Sequence, residues 1–193
     1  MKNLIRLVAI LLFGFANSQT EIMPKADFDE ADAKARMQQG NAKMYGKVIV
    51  NEGLGRKVYF APAGTLVFLY PLTPYIEEFV SLKEKYLKDP NYAVYLHEIP
   101  GKYRLQTEVK NRDGEFEFTN LKPGTYMLTS TVNYTGFDIV KVATGQTVYT
   151  KGNTVVGYGG TQYTNEKRYY SGTEYETATV TIKKDGEKKK ANL

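Results

Sequence analysis

The feature that most constrains this fold is the spacing of turn-forming residues after residue 44, which divide the chain into short extended segments. Gly and Pro recur between runs of β-branched and aromatic residues, a pattern typical of strands joined by turns. Residues 65–70 (Thr-Leu-Val-Phe-Leu-Tyr) form an apolar run that ends at Pro71, which predicts a strand covered on both faces. This spacing predicts a mainly β chain, with a single β-sandwich at residues 44–182.

One segment departs from the strand pattern and predicts a helix inserted between strands. Thr73 and Pro74 form a helix start signal, and Asp89-Pro90 forms a stop signal. Apolar and charged residues alternate between these signals at helical intervals. We therefore expect one amphipathic helix at about residues 74–88, packed on the sandwich or over one of its ends.

The segments outside the sandwich are more polar. Residues 19–43 predict a polar N-terminal arm, which forms either a short helix or a solvated extension. Residues 183–193 are rich in Lys and predict a disordered tail. Within the sandwich, residues 138–150 predict one or two strands broken at Thr144-Gly145, and the Gly-rich residues 153–160 predict a mobile hairpin or loop.

The N-terminus has the layout of a secretory signal peptide. Lys2 and Arg6 supply positive charge, residues 4–15 are almost wholly apolar, and Ala16-Asn17-Ser18 offers small residues for cleavage. We expect cleavage after Ser18, so residues 1–18 are the signal peptide; the alternative is an uncleaved anchor. No second long apolar stretch follows. The predicted mature chain is therefore exported, periplasmic or secreted, with no membrane span.

Composition argues against several classes of function. The sequence has no Cys and a single His, His97, so it lacks thiol chemistry and the usual zinc ligand sets. A Ser-His-Asp triad would depend on His97, and no nucleophile-elbow motif accompanies it. Glu115 and Glu117 alternate with Phe116, so a solvated strand face explains this carboxylate pair. We predict no enzyme, no metal and no cofactor.

The positive charge of the chain does not indicate a nucleic-acid partner. The formal net charge is +5, but Lys2 and Arg6 lie in the predicted signal peptide and a run of Lys lies near the C-terminus. The remainder is close to neutral and has no basic stripe of the kind that follows a phosphate backbone. A glycan or an envelope protein is the better expectation for a partner.

Residues 112–126 carry two motifs that resemble carboxypeptidase regulatory-like domains. Arg-Asp-Gly-Glu-Phe-Glu-Phe at 112–118 is similar to the family's turn and alternating Phe pair, and Leu-Lys-Pro-Gly-Thr-Tyr at 121–126 is similar to its second turn. In this reading Asp113-Gly114 turns a hairpin, Phe116 and Phe118 enter the core, and Pro123-Gly124 turns the chain back.

The resemblance covers about residues 45–134 and extends to an exported bacterial subset of unknown function. It implies a transthyretin-like or Ig-like sandwich, close in shape to some starch-binding modules. The matching residues are those of turns and core, so the resemblance implies little about function.

A group of aromatic residues near residue 160 is the one surface feature that suggests a ligand. Aromatic rings among amide and guanidinium donors suit sugar rings or peptides. The alternative is that these tyrosines pack on the sandwich or occupy ordinary strand positions. The candidate ligand-binding residues are Tyr158, Tyr163, Arg168, Tyr169 and Tyr170.

Three functions remain open from the sequence. The first is a non-catalytic accessory or interaction domain of the cell envelope. The second is a carbohydrate- or peptidoglycan-binding module, which the tyrosines and the fold resemblance favour. The third is a hydrolase of an uncharacterised kind, which would need a catalytic constellation that the sequence does not reveal.

Overall fold

The computed structural model describes residues 19–52 and 57–193, so the predicted signal peptide lies outside the described residues. The described chain is mainly β, as predicted, with three helices between its strands. The strands are β1 Thr20–Ile22, β2 Ala42–Lys47, β3 Ile49–Glu52, β4 Lys57–Phe60, β5 Leu66–Pro71, β6 Tyr92–Val94, β7 Leu105–Glu108, β8 Glu115–Leu121, β9 Gly124–Lys151, β10 Thr154–Ile182 and β11 Lys188–Lys190; the helices are α1 Glu30–Arg36, α2 Pro74–Tyr86 and α3 Glu98–Lys102.

Two sheets enclose the main core. One has the strand order β10-β9-β5-β7 and the other has the order β11-β2-β8. Met44 and Phe116 from the smaller sheet join Val67, Leu128 and Val132 from the larger sheet in one buried cluster. Each of these side chains alternates with an outward-facing neighbour, as the pleat of a strand requires. This arrangement is consistent with a β-sandwich.

The two turns of the resemblance motif agree with the expectation in part. Phe116 and Phe118 are buried in the core, as predicted. The turn at Asp113-Gly114, however, connects β7 of the larger sheet to β8 of the smaller sheet, and Pro123-Gly124 leads from β8 back to β9. Pro123-Gly124 thus turns the chain back, as expected. The Lys110 amide donates to the Glu115 carbonyl at 2.7 Å across the Asp113-Gly114 turn, but the strands on its two sides belong to different sheets.

The inserted helix α2 lies on the outer face of the larger sheet. The Thr73 side chain accepts a hydrogen bond from the Ile76 amide at 3.3 Å, which caps the first turn. Ile76 and Phe79 pack with Tyr70 and Met127 in a second buried cluster. Strand β5 is thus covered on both faces, as its continuous apolar sequence predicts. The short helix α3, which the sequence did not indicate, follows β6.

The polar segments before and after the sandwich both form regular secondary structure. In the N-terminal arm, β1 pairs with β6, and Asp29 caps the short helix α1. The predicted disordered tail is wrong, because β11 pairs in parallel with β2, and Ala191 and Leu193 are buried. The Lys-rich composition does not predict a strand, because the three residues of β11 are all lysines and remain outside the core. Only the two apolar residues that follow them are buried.

The longest elements, β9 and β10, form one antiparallel hairpin that closes at Gly152, whose φ is 59°. The predicted break at Thr144-Gly145 is wrong, since these residues lie within the paired strands and a register shift accommodates them. Of the hairpin or loop predicted at residues 153–160, the structure shows the hairpin, because these residues begin its second strand. Strand β9 pairs with β5 only at residues 126–130. Residues 137–169 therefore form a two-stranded extension, here called the ribbon. Each of its strands spans about 50 Å at about 3.3 Å per residue.

Tyrosine rings fill the position where the ribbon leaves the body. Tyr134 lies opposite Gly172, and Tyr170 lies opposite Gly136. Each ring covers the facing glycine so closely that an added Cβ would lie 2.5 Å from it. Tyr59 of β4 stacks on Tyr134 with a centroid distance of 5.0 Å. The small hairpin β3-β4 thus supports the base of the ribbon.

Candidate functional site

A cavity of about 370 Å³ opens between α2, α3 and the outer face of the larger sheet. Its volume is within the range of small-molecule sites, roughly 300–1,000 Å³. The sheet supplies the floor, and α2 together with the chain from Val94 to Gly101 supplies the walls. The floor residues are Phe68, Tyr70, Thr129, Thr131 and Tyr175.

Strand alternation explains why the floor combines rings with hydroxyls. In β5, Val67 and Leu69 enter the main core, so the neighbouring aromatic residues face outward. In β9 and β10 the outward residues are Thr129, Thr131 and Tyr175, and Thr131 lies directly opposite Tyr175 in the register. Aromatic faces beside hydroxyl groups suit the two surfaces of a sugar, which has apolar C–H faces and polar edges.

Arg104 brings a fixed positive charge to this floor. Its guanidinium lies over the Phe68 ring, with Cζ 4.8 Å from the centroid. Burial raises the pKa of the Tyr70 hydroxyl, and a hydrogen bond with Arg104 opposes that increase. The stacked guanidinium is held in a defined orientation, so it can donate hydrogen bonds to a ligand with little ordering cost.

The Tyr175 hydroxyl is the unusual polar group of the cavity. It is buried and makes no hydrogen bond of acceptable geometry in the described structure. Burial raises the pKa of this hydroxyl, and the nearby Thr129 side chain opposes the increase only in part. A buried hydroxyl without a partner is destabilising by about 1–3 kcal/mol, so a ligand group that reached the Tyr175 hydroxyl would be stabilising.

His97 lies at the rim in a structural position. Its ring nitrogen accepts a long hydrogen bond from the Ile99 amide at the start of α3, and its backbone amide donates to the Tyr75 hydroxyl at 3.2 Å. Its neighbour Glu98 forms an ion pair with Lys102 at 2.9 Å. Within residues 19–52 and 57–193, no cluster of three or more His, Asp or Glu side chains has the arrangement of a metal site.

The structure separates the tyrosines that the sequence groups together. Tyr163 and Tyr169 share one face of the ribbon, whereas Arg168 and Tyr170 lie on the other, because successive strand residues alternate. Tyr158 lies beyond two register shifts, near the tip and opposite Val148. These five residues therefore do not converge on one pocket.

Tyr170 has a visible structural role at the base of the ribbon. Its hydroxyl accepts a hydrogen bond from the Lys57 amine at 3.2 Å and lies 3.4 Å from the Tyr59 hydroxyl. Hydrogen bonds to Asp138 and Tyr170 raise the pKa of Lys57 well above its usual value. The remaining rings are exposed, with Tyr158, Tyr163 and Tyr169 each more than half accessible to solvent.

A second depression, of about 410 Å³, lies on the smaller sheet but has fewer groups available for a ligand. Its carboxylates already have cationic partners: Lys47 lies 3.7 Å from Glu115, and Lys110 lies 2.6 Å from Glu117. The Lys110 amine also holds the pKa of Glu117 below its usual value. The cavity beside α2 is therefore the stronger candidate.

Sequence reasoning did not identify the cavity residues as a site. Phe68 and Tyr70 were expected as members of a doubly covered strand, which they are. Tyr175 belongs to the outward face of the alternating segment 173–182, and that alternation was the available signal. No sequence signal marked Arg104, because it lies between α3 and β7 in a stretch of chain that follows no periodic pattern.

Comparison with known proteins supports the architecture. A crystal structure from Pseudomonas aeruginosa, described as a "putative carbohydrate binding protein", superposes with a TM-score of 0.54 at 18% sequence identity. The alignment covers 87% of this chain and 99% of that chain. At this identity the likeness shows the fold alone. No protein-family model matches the chain, and no curated protein matches it significantly. In the described residues, every helix is too short or too polar to cross a membrane.

Proposed function

We propose that this chain is an exported, non-catalytic module of the cell envelope that binds a glycan in the cavity between α2, α3 and the larger sheet. The observation that carries the proposal is the buried Tyr175 hydroxyl, which has no hydrogen-bond partner in good geometry among the described residues and belongs to a side chain that lines an aromatic cavity. A sugar hydroxyl could satisfy this group, while the rings of Phe68 and Tyr70 offer apolar surface to a sugar face.

Several further observations support the proposal. The fold is similar to that of a protein described as a "putative carbohydrate binding protein", although that likeness is one of fold. The N-terminal sequence has the layout of a signal peptide, which supports export to the periplasm or beyond.

The experiment that tests the proposal is a binding screen with a hydroxyl deletion. The purified protein is titrated calorimetrically with soluble oligosaccharides and cell-wall fragments. The Tyr175→Phe variant should then bind the best ligand about 2- to 10-fold more weakly, because one hydrogen bond contributes about 0.5–1.5 kcal/mol. The same variant should be at least as stable as the wild type when empty, since the hydroxyl it removes has no partner.

Tyr126→Phe is the matched control. Its hydroxyl donates to the Lys122 carbonyl at 2.8 Å and does not line the cavity. This variant should lose stability and keep its glycan affinity. Unchanged affinity in Tyr175→Phe, or no binding by any glycan in the screen, would contradict the proposal.

A further inference from the structure

The sheet face that floors the cavity continues without interruption along the ribbon. Cross-strand partners share a face, so the face can be followed pair by pair from Thr131 and Tyr175 in the cavity to Ala143 and Tyr163 on the ribbon. No register shift interrupts this stretch. Twelve residue steps at about 3.3 Å give the face a length of about 40 Å. This face, from Thr131 and Tyr175 to Ala143 and Tyr163, is here called the track.

The first part of the track is rich in hydroxyl and amide groups. A shallow depression of about 310 Å³ lies there, lined on the track by Asn133, Thr135, Ser171 and Thr173. The Thr173 hydroxyl donates to the Asn133 side chain at 2.8 Å, which orients both groups. These exposed short polar side chains can exchange hydrogen bonds with the hydroxyls of a sugar chain that leaves the cavity.

The next part of the track presents aromatic and apolar side chains. The rings of Phe137 and Tyr169 lie 6.0 Å apart between centroids, and the Lys167 amine lies 4.5 Å from the Phe137 centroid. Beyond them, Ile139 and Tyr163 are each more than 60% exposed. Exposed apolar side chains clustered on a protruding strand pair, here Phe137, Ile139 and Tyr169, often mark an interaction site.

Charge is segregated between the two faces of this strand pair. The track carries Lys141 and Lys167 and no acidic residue among its seven cross-strand pairs. Of the acidic residues in the same stretch, Asp138 and Glu166 lie on the opposite face, and the Glu174 carboxylate is neutralised by Lys88 at 3.0 Å. The track is therefore a positively charged surface, and it extends from a cavity that already contains Arg104.

We propose that the track binds an extended acidic polysaccharide whose end occupies the cavity. Neutral sugars of the polysaccharide lie along the hydroxyl-rich section, and one sugar ring packs on the Phe137–Tyr169 pair. The carboxylates of the polysaccharide pair with Lys141 and Lys167. Two lysines over this length fit a chain with carboxylates on some of its sugars, since a densely sulfated chain would need a denser series of cations. This inference rests on the proposed glycan site and names its ligand class and length.

The test compares oligosaccharides that differ in length and charge. The probes are a hyaluronan octasaccharide, the corresponding disaccharide, and the octasaccharide with its carboxylates converted to methyl esters. The wild-type protein should bind the charged octasaccharide at least about 10-fold more tightly than either of the other probes. Its affinity should fall as salt concentration rises, because exposed charges are screened.

Adjacent residues on opposite faces supply a matched pair of variants. Lys167→Gln and Arg168→Gln remove the same charge one residue apart, but only Lys167 lies on the track. Lys167→Gln should weaken octasaccharide binding by about 3- to 5-fold and Arg168→Gln by less than 2-fold. Phe137→Ala should weaken binding by about 10-fold, since it removes the ring on which a sugar packs.

The outcomes separate the two proposals. Equal binding of the charged octasaccharide and its methyl ester, or equal effects of the two charge variants, would overturn the track while leaving the cavity proposal standing. Octasaccharide binding could instead depend on Lys167 and be unaffected by Tyr175→Phe. That result would support the ribbon as a binding surface. It would overturn the cavity site, and with it the placement of the end of the polysaccharide in the cavity. Failure of the octasaccharide to bind overturns the track.

Discussion

Substitution of Gly46 by Ala tests the role of the C-terminal strand. Gly46 lies in β2, directly beside the C-terminal segment, and a Cβ added there would lie 1.5 Å from the Ala191 carbonyl oxygen. That contact is with backbone, so no side-chain rotation can relieve it. The C-terminal segment must therefore separate from β2 for the Ala variant to fold.

The magnitude follows from what this separation exposes. Leu193 leaves the core, which forfeits about 1.5–3 kcal/mol of burial free energy. Backbone hydrogen bonds such as Ala191 to Tyr45 and Leu193 to Lys47, both 2.9 Å, are also lost, at about 0.5–1.5 kcal/mol each. The released residues regain conformational entropy, which offsets part of the loss. We expect a net destabilisation of at least about 2 kcal/mol, or about 4–8 °C in Tm for a chain of this size.

The assay is thermal unfolding of Gly46→Ala, of a deletion of residues 188–193, and of the combined variant. Because both changes remove the same contacts, their effects should be strongly non-additive. Gly145→Ala is the matched control: a Cβ there meets nothing within 4 Å, so its Tm should stay near that of the wild type. Wild-type stability of Gly46→Ala, or full additivity with the deletion, would refute the assigned packing of this strand.

Three further predictions concern the ribbon, a titrating carboxyl group and the inserted helix. Gly136→Ala places a Cβ 2.5 Å from the Tyr170 ring, so hydrogen exchange should accelerate in the ribbon and stay slow in the sandwich core; uniform acceleration would contradict a local role. Burial first, and Glu174 second, raise the pKa of Glu176 above its unfolded value, so its contribution to stability declines as pH rises through the folded pKa. In urea unfolding, Glu176→Gln should therefore have a larger free energy of unfolding than the wild type at neutral pH and a similar one at about pH 3. A difference confined to acid pH would contradict this prediction. Thr73→Ala removes the cap of α2 and should lower the unfolding free energy by about 1 kcal/mol; an unchanged urea midpoint would count against the cap.

The parts of the fold that local pattern determines were predictable from the sequence. Phe116 and Phe118 alternate with charged residues, and both are buried. Thr73-Pro74 marks the start of α2, because capping and proline geometry are local properties. The sequence could not place this helix on one face of a sheet, since that choice depends on contacts with residues such as Met127, which is distant from the helix in the chain.

The failures have physical causes of a different kind. Glycine usually indicates a turn. Gly145 and Gly157 are nevertheless extended, because cross-strand pairing continues over nearly the full length of β9 and β10. The Lys-rich segment before Leu193 does not have the composition of a strand. It is extended because its backbone pairs with β2, a contact that the local sequence does not indicate. The cavity is lined by residues from α2, α3, β5, β9 and β10, which are far apart in the sequence, so no local motif predicts it.

The most direct measurement of the central claim is a map of where a glycan binds. Amide signals of the isotope-labelled protein would be followed by NMR during titration with the tightest oligosaccharide from the screen. The cavity proposal predicts that the largest shifts fall at Thr129, Thr131 and Tyr175, and that they shrink in Tyr175→Phe at equal ligand concentration. Shifts confined to the depression around Lys110 and Glu117, or to the ribbon tip near Tyr158, would contradict it.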